Sequence, residues 1–174
     1  MKKVMQGAVC ALGLGALVLS ASLSAQGPVK VELKDGQGAS VGTATLTESM
    51  SMVHIQLDLK GLKPGEHALH VHATAKCERP GFTTAGGHFN PAGKKHGLQS
   101  ADGPHAGDME NFTVAADGTA KGMVMAKGVT LSAGATSVFT NGGTALVVHA
   151  GPDDMKTDPA GAAGDRIACG VITK

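Results

Sequence analysis

The sequence predicts an all-β protein, an antiparallel sandwich or barrel of about eight short strands. Three observations favour this fold: short runs of Val, Thr and Ala recur, 26 glycines and 7 prolines supply turns, and no convincing helical pattern is present. A chain of 174 residues is long enough for one such domain and a short appendage. The net charge of +1 gives no reason to expect nucleic acid or an anionic membrane as a partner.

The strands are predicted from short runs of alternating apolar and polar residues that turn signals separate. We expect them over residues 28–34, 41–47, 53–59, 67–73, 112–115, 119–126, 144–149 and 167–172. Asp117-Gly118 is a two-residue hairpin signal between the fifth and sixth strands. Two long loops remain, 74–108 and 150–165. The length of the first argues against a compact domain unless the loop is functional and tied down.

The third predicted strand has the clearest alternation. Its apolar residues are expected to face the core: Val53, Ile55, Leu57 and Leu59. The residues between them then face water, and the first of these is His54. We therefore predict that His54 is a surface residue with no role in metal binding.

The N-terminal segment has the pattern of a signal peptide. Lys2 and Lys3 precede an apolar run, and a cluster of Ser and Ala follows it up to Ala25. We expect export to the periplasm or beyond the cell, with residues 1–25 removed and 26–174 left as the domain. A membrane anchor is disfavoured because the apolar run is short and rich in Gly and Ala, so no stable membrane association is expected after removal of the leader.

Loss of the leader would remove Cys10 and leave Cys77 and Cys169. Two cysteines in an exported protein are expected to form one disulfide. Because it closes a long loop, this bond would restrict the unfolded chain by roughly 4–5 kcal/mol in the chain-entropy model. Two thiolate metal ligands are the alternative, and neither cysteine has the short spacing that such sites favour.

Histidines are concentrated in one stretch that ends at Asp108. Six of the eight lie there: His67, His70, His72, His88, His96 and His105. This density indicates metal binding. In His70-Val71-His72 the two imidazoles project from the same face of a strand and can bind one ion together.

Two metal sites are predicted from these residues. His149, at the end of a predicted strand, would join the H-x-H pair if the two strands are neighbours. Nitrogen ligands of this kind suit copper. The three later histidines of the stretch and Asp108 are four ligands of N₃O type, the number that a closed tetrahedral zinc site needs.

Six runs of the sequence closely resemble the copper/zinc superoxide dismutases. They are His67-Ala-Leu-His-Val-His72, Gly87-His-Phe-Asn-Pro91, Lys95-His-Gly97, His105-Ala-Gly-Asp108, Leu146-Val-Val-His-Ala150 and Gly164-Asp-Arg-Ile-Ala-Cys-Gly-Val171. With the strand pattern they cover nearly all of the chain after the leader. The resemblance implies an eight-stranded antiparallel Greek-key barrel or sandwich, immunoglobulin-like, with two long functional loops; β-sandwich architecture is a general property of this family.

The resemblance also implies a role for each site residue. The copper ligands would be His70, His72, His88 and His149, and the zinc ligands would be His88, His96, His105 and Asp108. His88 would bridge both metals as an imidazolate and act in catalysis. Arg166 would receive the anion beside the copper, Asp153 would link a copper ligand to a zinc ligand, and Cys77 and Cys169 would form the disulfide. His67 would be a buried histidine that binds no metal.

The implied activity is the disproportionation of superoxide to dioxygen and hydrogen peroxide, an antioxidant function with copper and zinc as cofactors. A protein that only carries or stores metal is an alternative, which the full ligand set and Arg166 disfavour. A purely structural sandwich is a second alternative, and it leaves the histidines unexplained. The sequence carries no interface signature, so a homodimer is left open.

The second long loop departs from the family pattern. It carries Asp153, Asp154, Asp158 and Asp165 and a single lysine before Arg166. We therefore do not expect the strongest electrostatic steering of substrate. Pairing between Asp165 and Arg166 is not expected either, because neighbouring residues on a strand point apart.

Overall fold

The structure, a computed structural model, describes residues 27–174. The predicted leader, 1–25, lies outside the described residues. Within 27–174 the strands are β1 (Val29–Asp35), β2 (Ser40–Ser49), β3 (Met52–Leu59), β4 (Gly65–His67), β5 (Leu69–His72), β6 (Phe112–Val114), β7 (Ala120–Ala126), β8 (Thr144–His149) and β9 (Arg166–Ile172). Short 3₁₀ turns cover Thr83–Ala85 and Thr140–Gly142. In this part of the chain no helix has the length and apolar character needed to cross a membrane.

Seven strands form one antiparallel sheet in the order β5-β8-β9-β1-β2-β3-β7. The remaining two, β4 and β6, pair as a short antiparallel ribbon. Since β4 leads into β5 and β6 leads into β7, the ribbon joins the two ends of the curled sheet. The all-β antiparallel architecture predicted from the sequence is confirmed.

The predicted strand over 67–73 is interrupted, which corrects the sequence prediction. The chain changes partner at Ala68, whose N–H donates to the carbonyl of Gly151 at 2.9 Å and whose carbonyl accepts from His149 N–H at 3.0 Å. Residues before Ala68 pair with β6, and residues after it pair with β8. The eight predicted strands therefore appear as nine segments.

The Asp117-Gly118 turn forms, with the Gly118 N–H donating to Ala115 O at 2.9 Å. The two strands that it joins do not continue as a hairpin ladder, however. β6 pairs with β4, whereas β7 pairs with β3 along its whole length. The hairpin prediction is thus right for the turn and wrong for the pairing.

The core lies inside the curled sheet, and the alternation of β3 is confirmed. The four predicted core residues of that strand are all 2% exposed or less. Burying a side chain of this size stabilises the fold by about 1.5–3 kcal/mol. β8 is buried on both faces, because Leu146 and Val148 join this core while Ala145 and Val147 pack against Phe82 from the first long loop.

Two features tie down the first long loop. A disulfide joins Cys77 to Cys169 of β9, as predicted, with the Cα atoms 5.7 Å apart. Farther along, the loop pairs with the free edge of β5: Phe89 N–H donates to Val71 O at 2.8 Å, and Val71 N–H donates to Gly107 O at 3.0 Å. The loop therefore covers a sheet edge that would otherwise be unpaired.

Candidate metal centre

The pairing of β5 with β8 brings the first three histidines together. Leu69 lies opposite Val148, so His149 follows at the N-terminal end of β5, where its N–H donates to Ala68 O at 3.0 Å. The ring centroid of His149 lies 4.9 Å from that of His70 and 5.6 Å from that of His72. The two strands are thus neighbours, which was the condition for His149 to join the H-x-H pair.

His88 joins this cluster because the loop lies along the edge of β5. An isolated antiparallel bridge pairs His88 with His72, and the His88 ring centroid lies 4.0 Å from that of His70. The loop can approach so closely because Gly107 has no side chain. A Cβ there would collide with the carbonyl oxygen of Val71.

These four side chains form one buried group, called here the four-histidine group: His70, His72, His88 and His149. In three of the rings, one nitrogen contacts an oxygen atom on the side away from the centre of the group. His70 Nε2 lies 2.8 Å from Asp153 Oδ2, His72 Nδ1 lies 2.9 Å from Gly86 O, and His149 Nδ1 lies 3.2 Å from Gly164 O. The other nitrogen of each ring therefore points towards the centre of the group.

Two of the four converging nitrogens lack any protein partner, and the other two have only each other. His70 Nδ1 and His88 Nε2 are buried and accept or donate no hydrogen bond, and the Nε2 atoms of His72 and His149 lie 3.4 Å apart. A buried polar atom without a partner costs roughly 1–3 kcal/mol. A cation bound between the four nitrogens removes this cost, and imidazole ligands fit copper.

The second group, called here the N₃O group, consists of His88, His96, His105 and Asp108. The Nδ1 atoms of the three rings surround one carboxylate oxygen, Asp108 Oδ1, at 2.8, 3.1 and 3.3 Å respectively. The other oxygen, Oδ2, is fixed by the backbone N–H groups of Gly97 and His105, both at 2.9 Å. Three imidazoles and one carboxylate suit tetrahedral zinc.

Asp153 links the two groups. Its carboxylate is buried and lies 2.8 Å from His70 Nε2 and 3.0 Å from His96 Nε2. Asn111 fixes the backbone of Asp153 through two hydrogen bonds of 2.9 Å. Sequence reasoning missed Asn111, because an asparagine just before a strand gives no signal of this contact.

The pKa values show which rings are neutral in the metal-free protein. Burial lowers the pKa of His72 to about 2 and those of His88 and His149 to about 4, because it disfavours the charged form. These rings are therefore neutral at pH 7, which is the form that binds metal.

His96 differs from these rings because it contacts two carboxylates. Burial lowers its pKa too, but hydrogen bonds to Asp108 and Asp153 outweigh this effect and raise it to about 9. The same contacts change the pKa values of the Asp108 and Asp153 carboxyl groups. Burial would raise their pKa values, yet the hydrogen bonds from the imidazoles hold both below the usual range.

Arg166 lies beside the four-histidine group at the start of β9, opposite His149 in the β8–β9 ladder. Its guanidinium donates to Phe82 O and Gly86 O, both at 2.7 Å. Gly86 O is also the oxygen beside His72 Nδ1, so one carbonyl orients both side chains. The half-buried Arg166 borders a cleft of about 440 Å³ that His72, His88 and His149 also line.

An ion pair between the two long loops compensates part of the positive charge near this cleft. Lys95 of the first loop lies 3.3 Å from the carboxylate of Asp158 in the second loop, so part of its charge is compensated. Among residues 27–174, Arg166 makes no salt bridge, and Asp165 is exposed. The prediction that Asp165 and Arg166 do not pair is confirmed.

The remaining histidines lie outside both groups. His67 is buried, with Nδ1 2.7 Å from His149 O and Nε2 2.7 Å from Lys63 O. His67 therefore fixes the backbone of His149, and it contributes no nitrogen to either group. His54 lies on the outward face of β3, as predicted.

Comparisons with known proteins agree with this arrangement. A family model described as copper/zinc superoxide dismutase matches residues 40–172. The chain is 51% identical over 158 residues to "Superoxide dismutase [Cu-Zn] 2" of Aquifex aeolicus, covering 90% of this chain and 92% of that one. It is 43% identical to the superoxide dismutase [Cu-Zn] of Caulobacter vibrioides over 80% of this chain and 82% of that one. The Cu/Zn superoxide dismutase from Brucella abortus superimposes with a TM-score of 0.71 at 29% identity, over 84% of this chain and 99% of that one.

Replacing Gly161 should loosen the link between the two groups. Gly161 has φ +65°, and a Cβ there would overlap the Asp153 carboxylate and approach His96 Nε2 within 2.7 Å. We expect Gly161→Ala to weaken zinc binding about 10- to 100-fold, the usual effect of removing a partner behind a metal ligand. Competition with a zinc chelator measures this. Gly93→Ala is the matched control, because Gly93 has φ +62° and open space around it; equal losses in both variants would contradict the prediction.

Lowering the pH from 6.5 towards 4 should reduce the free energy of unfolding of the metal-free protein. In this window the unfolded chain binds protons at His72, His88 and His149 that the folded protein does not bind, so protons favour unfolding. His96 acts oppositely, but its contribution is fully present below about pH 6.5 and is lost only as the pH rises towards 9.

Urea midpoints at pH 7, 6 and 5 measure this dependence. His72→Gln should flatten it, and the matched variant His54→Gln, outside both groups, should leave it unchanged. A midpoint that does not move between pH 7 and 5 would show that these rings titrate normally.

Proposed function

The chain belongs to the copper/zinc superoxide dismutase family, and from that membership we propose how its residues divide the work of the reaction. The protein is an oxidoreductase that uses copper and zinc and converts superoxide to dioxygen and hydrogen peroxide. The observation that carries the residue assignment is the presence of two buried ligand groups that share a single ring, His88.

We assign copper to the four-histidine group and zinc to the N₃O group. Copper bound there would supply one-electron exchange with superoxide in both directions, whereas zinc has no redox chemistry. Support for the division comes from donor type: the first group offers nitrogens alone, and the second includes the Asp108 carboxylate. The partnerless nitrogens of His70 and His88 support metal binding independently of the comparisons.

His88 is proposed as the shared ligand and the proton carrier. Its Nδ1 faces Asp108 Oδ1 in the N₃O group at 2.8 Å, while its Nε2 belongs with the other three nitrogens. Because the ring borders the cleft, Nε2 can hold a proton and pass it to a reduced oxygen species there. Contacts on the Nδ1 side keep the ring oriented while Nε2 exchanges its proton.

Arg166 is proposed to receive the substrate anion. A guanidinium remains charged at all relevant pH values, and this one is held by two carbonyl oxygens rather than by a carboxylate. Its charge is therefore available to a small anion in the cleft. The disulfide helps to hold Arg166 beside these carbonyls. Cys169 lies three residues after Arg166, and Cys77 lies just before the loop segment whose carbonyl oxygens the Arg166 guanidinium contacts.

Substitutions of His149 and Arg166 test these assignments. His149→Ala should abolish superoxide turnover, because it removes one nitrogen of the copper group. Arg166→Ala should lower kcat/KM roughly tenfold or more at low salt through loss of anion attraction, with both metals retained. Rapid-mixing kinetics and metal analysis of the loaded protein measure the two effects. Arg79→Ala, which removes an exposed arginine elsewhere, is the matched control. Loss of copper from the Arg166 variant would contradict its role.

We also propose export, with residues 1–25 as a removed signal peptide and 26–174 as the functional domain in the periplasm or outside the cell. The leader pattern supports this, and so does the disulfide, because such bonds persist in oxidising compartments.

Mass spectrometry of protein recovered from outside the cytoplasm tests the export proposal. The expected product begins near Gln26 and is two hydrogen masses lighter than its reduced form, with Cys77 linked to Cys169. A retained leader, or two free thiols in the recovered protein, would overturn it. Treatment with a reducing agent before alkylation provides the control for disulfide detection.

A further inference from the structure

A cluster of soft donor atoms lies on the outward face of β3 and β7, in a different part of the barrel from the two buried groups. We call it the methionine face; it consists of His54, Met123 and Met125. The two methionines are 60% and 42% exposed. Single exposed apolar side chains are normal on a protein surface, so the notable feature here is that two methionines lie beside a histidine.

The strand register places these side chains together. His54 lies directly opposite Met125 in the β3–β7 ladder, and Met123 is two residues farther along the same face. The sulfur of Met123 lies 3.2 Å from His54 Nδ1. Met52 lies two residues before His54 on the same strand face and offers a further thioether.

The His54 ring is also incompletely satisfied. Its Nε2 atom is shielded from solvent and has no hydrogen-bond partner. Its other nitrogen faces a thioether, which is a weak acceptor at best. An imidazole in a protein normally finds stronger partners for its ring nitrogens. The contact between His54 Nδ1 and the Met123 sulfur is therefore better explained by a ligand that both atoms bind than by a hydrogen bond alone.

The donor set selects a particular class of ion. Thioether sulfur binds soft ions such as Cu(I), whereas Mg²⁺, Ca²⁺ and Mn²⁺ prefer oxygen. The carboxylate two rows away on β3, Asp58, is directed to Lys121 at 3.6 Å. For metal bonds of about 2.0 Å to nitrogen and 2.3 Å to sulfur, the two donor atoms lie roughly 3.5 Å apart at a tetrahedral angle. The observed separation is close to this, and the exposed Met123 side chain can adjust.

We propose that His54, Met123 and Met125 form a surface binding site for Cu(I), separate from the buried copper and zinc groups. This goes beyond superoxide turnover, which uses none of the three residues. It also differs from the sequence prediction that His54 has no role in metal binding: the outward orientation is confirmed, and the proposal rests on neighbouring thioethers that β3 alone does not reveal.

Methionine methyl NMR tests the site directly. Protein labelled with ¹³C at the methionine methyl groups is loaded with zinc in both buried groups, so that they are filled and diamagnetic and hold no reductant for Ag(I). Ag(I), a soft probe with no redox chemistry under these conditions, is then added as its nitrate without chloride. The methyl signals of Met123 and Met125 should shift and reach saturation at one equivalent. The signal of Met50, which is 81% exposed in the turn between β2 and β3, should not shift.

Affinity for Cu(I) itself is measured by competition with bicinchoninate on a separate sample, loaded with zinc and reduced copper and kept free of oxygen. His54→Gln and Met123→Leu should each weaken binding of the additional Cu(I) at least tenfold. Met50→Leu, the matched control for an exposed methionine, should leave it unchanged. Retained zinc content and an unchanged circular dichroism spectrum establish that each variant is folded, and the NMR titration of the parent protein stands without any variant.

Three results would overturn the proposal. The first is parallel, unsaturated shifts of Met50 and Met123, which indicate nonspecific binding to exposed thioethers. The second is Ag(I) binding that moves only the ring signals of His72 and His149. The third is a shift of the Met123 and Met125 signals with protein concentration in the absence of added metal, which identifies the face as a contact between two copies of the chain.

Discussion

The carboxylate of Asp153 is the contact on which the metal centre depends most. It belongs to the second long loop, yet its two oxygens hold one ring on β5 and one ring in the first loop. Three segments far apart in sequence therefore meet at one buried charge. A buried carboxylate is stable only when its hydrogen bonds are made, so the loops and β5 must come together or leave Asp153 unsatisfied. This requirement fixes the orientation of His70 and His96 before any metal arrives.

The barrel supplies rigidity, and the loops supply most of the chemistry. β5 and β8 carry three of the histidines on hydrogen-bonded strands, where ring positions follow from the backbone register. The first loop then extends the edge of β5 and delivers His88 at a fixed distance. A disulfide and a carbonyl shared between His72 and Arg166 hold the anion-binding side of the same cleft. The long loop is thus ordered by the contacts that make it functional.

The buried centre and the proposed surface site differ in the way their donors are held. In the centre, carboxylate or carbonyl oxygens fix rings from behind, so the ligand nitrogens have little freedom. On the methionine face a single imidazole is fixed by its strand, and the thioethers are exposed and flexible. Rigid nitrogen donors favour a permanently bound ion that must keep its geometry during electron exchange. Flexible sulfur donors favour reversible binding of a soft ion.

The sequence by itself determined most of the strands, the same-face pair His70 and His72, the disulfide pairing and, through family resemblance, the residues of both ligand groups. These features are local patterns or long motifs: alternation reports which face a side chain occupies, and cysteine count reports pairing when only two remain. The tertiary structure alone decided the break at Ala68, the anchoring of Asp153 by Asn111, the requirement for Gly161 and the contact between His54 and Met123. Each of these depends on which strands and loops become neighbours and in what register. Alternation with a period of two residues specifies the face of a strand but not its partner, and for that reason only the folded protein shows them.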